Sequence, residues 1–197
     1  MKVQTVCILG GTGFVGRALV ARLANSGHTV RVLTRHPQRR CRELEVVPGV
    51  SLVAIGDAPL AQHFKGCDAV INLVGILNES GSQTFRGLHV ELPKRVAAAC
   101  IEAGVSRLLH MSALNADAVN GVSDYLKTKG EGEDAVHASP GLKVTSFRPS
   151  VIFGCEDSFF NRFAGLLKFA PVLPLACPNA RFQPVYVRDV AAAFVQA

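Results

Sequence analysis

The chain has 197 residues, of which 49% are hydrophobic and 18% are charged, and its formal net charge at pH 7 is +6. This composition predicts one globular domain with a sizeable core and excludes a disordered chain. No apolar run reaches the roughly 18 residues of a membrane-spanning helix, so we expect neither a signal peptide nor a transmembrane segment. Six cysteines are scattered without a C-x-x-C pair, which indicates reduced thiols in a cytoplasmic protein rather than disulfides or a metal site.

The first motif is a predicted strand, a glycine turn and a helix. Residues 6–9 are apolar, a glycine turn follows, and residues 14–24 repeat with the period of an amphipathic helix. A turn without Cβ atoms lets a pyrophosphate approach the backbone N–H groups at the positive end of the helix. A glycine-rich turn that binds nothing is the alternative. We expect a dinucleotide site that includes Gly10, Thr12, Gly13, Phe14, Val15 and Gly16.

The glycine spacing, G-x-x-G-x-x-G, resembles that of the extended and atypical short-chain dehydrogenase/reductases, which are NAD-dependent epimerase/dehydratase-like Rossmann proteins. The resemblance implies an α/β fold with a doubly wound parallel sheet that binds NAD(P). It also implies a Rossmann domain over residues 1–154 and a substrate lobe over 155–197. Members of this family continue for many more residues, so we expect only part of that lobe here.

A basic segment, residues 35–42, follows the second predicted strand at 29–34. In a Rossmann unit this strand ends at the adenine ribose, where an acidic residue would bind the 2′-hydroxyl of NAD. Arg35 occupies that place, and its planar guanidinium suits a 2′-phosphate, so we expect NADP(H) to be preferred, with NAD(H) as the alternative. A solvated basic loop or a nucleic-acid patch would explain the charge differently. Because no aromatic residues interleave with these arginines, we expect no nucleic-acid partner.

Two further strands are predicted at 50–55 and 68–75. Asp57 follows the first strand; the resemblance implies an adenine contact there, and capping of a helix over 58–64 is the alternative. The second strand is a near-continuous apolar run, which is typical of a parallel sheet covered on both faces. It ends in Leu73, Val74 and Gly75, and these should face the cofactor because open α/β sheets bind ligands at the carboxyl ends of their strands.

A long helix is predicted over 85–103 and a fifth strand over 105–111. Pro93 lies inside the helical pattern and predicts a kink or a late start. His89 stands where the resembled family has an asparagine that helps to organise a proton-relay water. After the strand, Ser112 is the hydroxyl available for a substrate oxygen. The register places Ala113 at the family's catalytic position, so Ser112 as a cofactor or strand-end contact is the alternative.

Tyr125 and Lys129 form a Y-x-x-x-K pair on a predicted helix. Residues four apart share a helix face, so both side chains can reach one site. A nearby ammonium is expected to lower the pKa of the tyrosine and so make it an acid and base catalyst. Lys129 is expected to hydrogen-bond the nicotinamide ribose as well. A chance pair on a helix surface is the alternative.

The sixth predicted strand and its loop, residues 144–154, carry F-R-P-S-V-I-F-G. In the resembled family this segment passes the nicotinamide, which assigns Pro149 and Val151 to the cofactor. Together with H-M-S-A-L-N-A at 110–116 and F-x-N-x-F-A at 159–164, it resembles the NADPH-binding accessory subunits of respiratory complex I and their bacterial relatives. This resemblance covers essentially the whole chain. It implies either an oxidoreductase or epimerase-like enzyme, or a non-catalytic NADPH-binding subunit peripheral to the inner membrane.

Residues 163–177 are apolar apart from Lys168, and Phe159, Phe160 and Phe163 lie at or just before the start of this segment. It is interpreted as the core of the substrate lobe, and a lipid-facing or quinone-facing surface is the alternative. A small-molecule or quinone-like substrate is therefore expected, whereas the oligomeric state is not predicted. Residues 183–190 resemble a short strand that leads into a helix through an aspartate cap, Asp189.

Overall fold

The computed structural model describes residues 4–35, 42–168 and 179–197. Six strands form a parallel sheet in the order β3-β2-β1-β4-β5-β6: β1 (Thr5–Leu9), β2 (Thr29–Thr34), β3 (Val50–Ala54), β4 (Ala69–Asn72), β5 (Arg107–Met111) and β6 (Lys143–Phe147). Two short strands, β7 (Ile152–Phe153) and β8 (Val185–Tyr186), pair in parallel beside it. The strand order reverses direction at β1, and the predicted doubly wound Rossmann fold is confirmed.

The helices that flank these strands are α1 (Phe14–Asn25), α2 (Arg42–Glu45), α3 (Leu60–Phe64), α4 (Leu92–Ala103), α5 (Asp124–His137), α6 (Phe160–Leu167) and α7 (Val187–Gln196), and a π-helix covers Arg86–Glu91. None of the helices within the described ranges is long and apolar enough to cross a membrane.

The sheet has a hydrophobic core on each face because its strands alternate. In β1, Cys7 and Leu9 join a cluster with residues of α3, α4 and α5, whereas Val6 and Ile8 join a second cluster with residues of α1 and α7. Successive side chains of a strand point to opposite faces, so one apolar strand supplies both cores. The sheet is therefore held rigidly by helices packed on both of its faces.

Helix α7 is held to the sheet by Phe194. This side chain is 2% exposed, and its ring stacks on that of Phe147 in β6 with centroids 3.8 Å apart. Burial of one such side chain contributes about 1.5–3 kcal/mol. The predicted division at residue 154 stays a prediction.

Two predicted helix caps are wrong. Helix α3 begins at Leu60 with Pro59 as its N-cap residue, so Asp57 lies outside the helix and does not cap it. Helix α7 begins directly after Tyr186, and Asp189 lies within its first turn rather than at the cap. In both cases the strand or loop leads into the helix without a side-chain cap hydrogen bond. A carboxylate in the first turn of α7 still interacts favourably with the positive end of the helix.

The predicted helix over 85–103 is present, and its hydrogen-bond pattern changes from π to α just before the proline that the sequence singled out. A π-helical segment precedes α4, and Pro93 stands in the first turn of α4, where its missing N–H leaves the His89 carbonyl oxygen without a donor four residues ahead.

Three of the cysteines, Cys7, Cys67 and Cys100, are free and buried, and Cys155 is free and exposed. The other two lie outside the described residues, as do residues 36–41 of the basic segment and residues 169–177 of the predicted substrate-lobe core. Burial raises the pKa of the Cys100 thiol to about 12.

Candidate active site

The glycine turn between β1 and α1 forms a shallow cradle. Gly10 has a φ of +80°, and a Cβ on it would lie 3.1 Å from the carbonyl carbon of Leu73 and 3.2 Å from the nitrogen of Val74. A side chain is therefore excluded by conformation and by space. At Gly16 a Cβ would overlap the carbonyl oxygen of Gly10, so this glycine lets α1 pack on the turn.

The N-terminus of α1 is open to an anion. Gly13 is its N-cap residue, no side chain caps the helix, and its first turn contains no acidic residue. The uncapped N–H groups and the helix dipole favour a negatively charged group here. The site thus fits a dinucleotide pyrophosphate, with a turn that admits it and a helix end that is not neutralised.

The turn after β4 is fixed by a buried asparagine. Asn72 is fully buried, and its Oδ1 accepts the Val74 N–H at 3.1 Å. Its Nδ2 lies 3.4 Å from Nδ1 of His110, which is also buried. Burial and then the charge of Lys129 lower the pKa of His110 to about 3, so this imidazole is neutral at physiological pH. The two side chains hold Leu73, Val74 and Gly75 at the carboxyl edge of the sheet.

A cleft of about 690 Å³ opens at that edge. It brings together predicted residues from five segments of the chain, namely Phe14, Val15, Leu73, Gly75, Ser112, Tyr125, Lys129, Pro149 and Val151. The other predicted residues, Gly10, Thr12, Gly13, Gly16, Val74, Arg35 and Asp57, do not line it.

The residues outside the cleft fall into two groups. The turn glycines adjoin it through the contact of Gly10 with Leu73. Arg35 and Asp57 are exposed and follow β2 and β3, at the same carboxyl edge but toward the edge strand of the sheet.

Sequence reasoning missed several lining residues. Ile76, Leu77, Leu114 and Phe182 make much of the cleft apolar, and Asn115 lines it with a φ of +62°. Asn115 is the only non-glycine residue with a positive φ in the part of the chain that the structure describes. The asparagine itself, three residues after Ser112, was the one available signal, because asparagine is among the residues that tolerate this conformation.

Lys129 is buried and lies four residues after Tyr125 on α5. Its side chain is 4% exposed, and Nζ donates to the carbonyl oxygen of Met111 at 2.5 Å. Burial lowers the pKa of Lys129 to about 8, and the nearby Glu133 carboxylate opposes this shift. Glu133 is itself held by Arg148, whose Nε lies 3.0 and 2.9 Å from its two carboxylate oxygens. The ammonium is thus fixed from one side, and its remaining donors are available to a ligand.

The expected lowering of the Tyr125 pKa is wrong for this structure. Burial raises the pKa of Tyr125 instead, because the phenolate would lose its hydration. The Lys129 ammonium hydrogen-bonds the Met111 carbonyl. The phenol therefore keeps its proton, which suits a proton donor.

Ser112 lines the cleft with a buried, unsatisfied hydroxyl group. It is 3% exposed, and among the described residues its Oγ has no hydrogen-bond partner. Its N–H donates to the Phe147 carbonyl oxygen at 2.8 Å, so its backbone is fixed while its hydroxyl is not. A buried hydroxyl without a partner costs about 1–3 kcal/mol. A ligand oxygen in the cleft would remove that cost.

A second groove of about 760 Å³ lies between α1 and α7. Arg17, Arg22 and Arg188 line it, and it shares only Phe14 with the cleft. It contains none of the predicted catalytic residues.

Comparison with known proteins gives a consistent result. Residues 10–155 match a protein-family model described as NAD(P)H-binding. The chain is 33% identical to the mouse (Mus musculus) mitochondrial NADH dehydrogenase (ubiquinone) 1 alpha subcomplex subunit 9, with 96% of this chain and 52% of that protein covered. It is 34% identical to the ceramide reductase of Caulobacter vibrioides, with 96% of this chain and 59% of that protein covered.

A solved structure, MoeE5 in complex with UDP-glucuronic acid and NAD, superposes with a TM-score of 0.78 at 25% identity and covers 97% of this chain and 71% of that one. The chain spans just over half the length of the two curated relatives.

Proposed function

The chain belongs to the NAD(P)H-binding Rossmann family, and on that premise we propose that it is an NADP(H)-dependent oxidoreductase or epimerase-like enzyme with hydride transfer at the nicotinamide. The observation that carries the proposal is the meeting of Tyr125, Lys129 and the unpartnered Ser112 hydroxyl in one cleft. When bound, the dinucleotide supplies the hydride and the protein supplies orientation and protons.

Cofactor binding is proposed at three regions. The glycine turn and the N-terminus of α1 would hold the pyrophosphate, and Lys129 would hold the nicotinamide ribose, with Pro149 and Val151 beside the ring. Arg35 would bind the 2′-phosphate and Asp57 the adenine. Arg35 is exposed at the carboxyl end of β2, and neither Leu33 nor Thr34 before it is acidic. This supports NADP(H) over NAD(H).

Tyr125 is the proposed proton donor. Because burial raises its pKa, it holds its proton at neutral pH and can give it to a substrate carbonyl oxygen as that oxygen gains charge. Ser112 would donate to the same oxygen and so keep it near the phenol. Lys129, whose pKa is about 8, remains mostly protonated at pH 7 and would donate to the nicotinamide ribose.

The apolar lining of the cleft supports a small carbonyl or quinone-like substrate. Leu77 and Phe182 at its mouth are 68% and 55% exposed, and Ile76 and Leu114 continue the apolar surface. Such walls bind a body with few hydrogen-bonding groups.

Tyr125→Phe tests the enzyme assignment. Consumption of NADPH with a panel of carbonyl and quinone substrates should fall by about 10²- to 10⁴-fold, while NADPH affinity is unchanged. Tyr186→Phe is the matched control, because Tyr186 is the other tyrosine of the chain and does not line the cleft. Unchanged turnover of Tyr125→Phe in a working assay would remove Tyr125 as the catalyst.

A second candidate is a non-catalytic NADPH-binding subunit of a membrane-bound respiratory NADH:quinone oxidoreductase, located at the cytoplasmic side of the inner membrane. The identity to the complex I subunit of mouse supports it, as do His89 and Ala113 at positions where the short-chain family has other residues. The dissociation rate of NADPH, measured by chase with excess NADP⁺, separates the two. Release within seconds indicates an exchangeable cosubstrate, and retention for hours indicates a structural ligand.

A further inference from the structure

The backbone around His89 is shaped by Pro93. Leu92 N–H donates to the Gly87 carbonyl oxygen, the i to i−5 pattern of the π-helix. Pro93 has no N–H and cannot donate to the His89 carbonyl four residues before it. That carbonyl oxygen instead faces α5 at Gly132, where an added Cβ would overlap it. The wide turn thus brings His89 against the helix that carries Tyr125 and Lys129.

The ring of His89 makes one hydrogen bond at each nitrogen. Nε2 lies 3.1 Å from the backbone nitrogen of Ile76, and Nδ1 lies 3.1 Å from Oγ1 of Thr128. A backbone N–H can only donate, so Nε2 must be the acceptor and Nδ1 must carry the proton. Thr128 agrees with this assignment, because its hydroxyl donates to the Asp124 carbonyl oxygen at 2.7 Å and leaves a lone pair for Nδ1.

The faces of the ring are also occupied. Phe85 stacks on His89 with centroids 5.3 Å apart, and the Tyr125 ring meets it edge to face at 5.3 Å. Phe85 and Tyr125 contact each other at 6.0 Å. The imidazole is 2% exposed, so its position leaves little freedom to the tyrosine beside it.

We propose that His89 is a positioning residue that, in its Nδ1-protonated form, joins the loop after β4 to α5 and so fixes Tyr125 and Lys129 relative to Gly75. The link runs from Ile76 N–H through the imidazole to the Thr128 hydroxyl, which lies between Tyr125 and Lys129 in the chain. A Cβ at Gly75 would lie 3.6 Å from Nε2 of His89 and 3.7 Å from Nζ of Lys129, which places this backbone between the two side chains.

The His89 imidazole carries no positive charge at neutral pH beside the Lys129 ammonium. Burial, and then the Lys129 ammonium, lower the pKa of His89 to about 4. The ring therefore serves as an acceptor at neutral pH without competing with Lys129 for an anionic or oxygen ligand. Only the last step of the proposal, the placing of Tyr125 for proton donation, rests on the proposed function.

The tautomer is tested directly by NMR of protein labelled with ¹⁵N-histidine, with the His89 signal assigned by its loss in His89→Gln. The expected spectrum shows a protonated Nδ1 and an unprotonated Nε2 that do not titrate near the ordinary histidine pKa of about 6.5. A protonated Nε2, or a titration close to that value, would overturn the proposal.

A matched pair of variants tests the link. His89→Gln keeps an acceptor near the place of Nε2, whereas His89→Asn keeps a donor near Nδ1 and leaves Ile76 N–H without its acceptor. We expect His89→Asn to weaken NADPH binding about tenfold, because Gly75 and Lys129 lose their fixed positions, and His89→Gln to weaken it less than about threefold. Equal losses in the two variants would contradict the link.

The tyrosine provides an independent readout. In a Tyr186→Phe background Tyr125 is the only tyrosine of the chain, so its ¹³C ring signals can be followed without assignment. These signals should move in His89→Asn and stay in His89→Gln. None of these measurements uses turnover. An inactive protein would therefore refute the proposed function and leave the His89 assignment standing. An Nε2-protonated ring would refute the His89 assignment and leave the proposed function standing.

Discussion

The close packing of two helices at the site gives a specific stability prediction. Gly132 of α5 packs on the π-helix, and a Cβ there would fall far inside the 3.0 Å limit of real Cβ contacts, against the His89 carbonyl oxygen. The obstacle is backbone, so it cannot rotate away. Gly132→Ala must therefore separate α5 from the segment that carries His89.

The expected cost follows from two opposing effects. In the middle of a helix, replacing glycine by alanine alone would stabilise by about 0.5–1 kcal/mol. Overpacking at a rigid contact costs about 1–3 kcal/mol or more, and an overlap with backbone belongs at the upper end. We expect a net loss of about 2 kcal/mol in the free energy of unfolding. NADPH affinity should also fall, because Lys129 lies one turn before Gly132 on the same helix.

Urea denaturation followed by far-ultraviolet circular dichroism measures this effect. Gly165→Ala is the control, since Gly165 is also helical and a Cβ on it would meet nothing within 4 Å. This control should be unchanged or slightly more stable than the wild type. If Gly132→Ala were as stable as Gly165→Ala, the close approach of α5 to the π-helix would be refuted.

Three further predictions concern selectivity, pH and thiol access. Arg35→Asp should raise the Kd of NADPH selectively, and equal losses for NADPH and NADH would contradict the 2′-phosphate assignment. The pKa of His89 is about 4 in the folded protein and 6.5 in the unfolded chain, so the unfolded chain binds more protons between these pH values. About 3 kcal/mol of folding stability that is present above pH 6.5 is therefore lost as the pH falls to 4. The urea midpoint of the wild type should therefore fall more steeply with acid than that of His89→Gln, and parallel curves would refute this. Exposed Cys155 should react with a maleimide in the native protein while buried Cys7 does not, as mass spectrometry of the labelled peptides would report.

Local signals were enough to predict the frame of the fold. The apolar periods gave the six parallel strands, and the glycines of the first turn marked the place where a helix begins without a cap. Pro93 marked the place where its helix changes from π to α, because a missing N–H alters the hydrogen bonds of neighbouring residues in the chain. The strand periodicity, the glycine turn and the proline act on residues near them in the chain, so they can be predicted from the sequence.

The site depends on contacts between residues distant in sequence, and the sequence alone did not predict these contacts. Lys129 hydrogen-bonds a carbonyl 18 residues away, at Met111, and Asn72 pairs with His110 across two strands. The lowering of the Tyr125 pKa was expected from the spacing alone, whereas burial decides its direction. His89 looked like a departure from a pattern, and only the placement of Ile76 and Thr128 around it indicates a role.

The central claim, that the N-terminus of α1 holds the dinucleotide pyrophosphate, is tested most directly at Gly13. This residue is exposed, has a φ of −78°, and is the N-cap of α1, where aspartate and asparagine are both favourable caps. We would titrate NADPH, by its fluorescence, into the wild type, Gly13→Asp and the neutral isostere Gly13→Asn. The account predicts saturable binding to the wild type, weaker binding to Gly13→Asn and none to Gly13→Asp, with the thermal stability of both variants maintained. Equal NADPH affinity in Gly13→Asp and Gly13→Asn would contradict it.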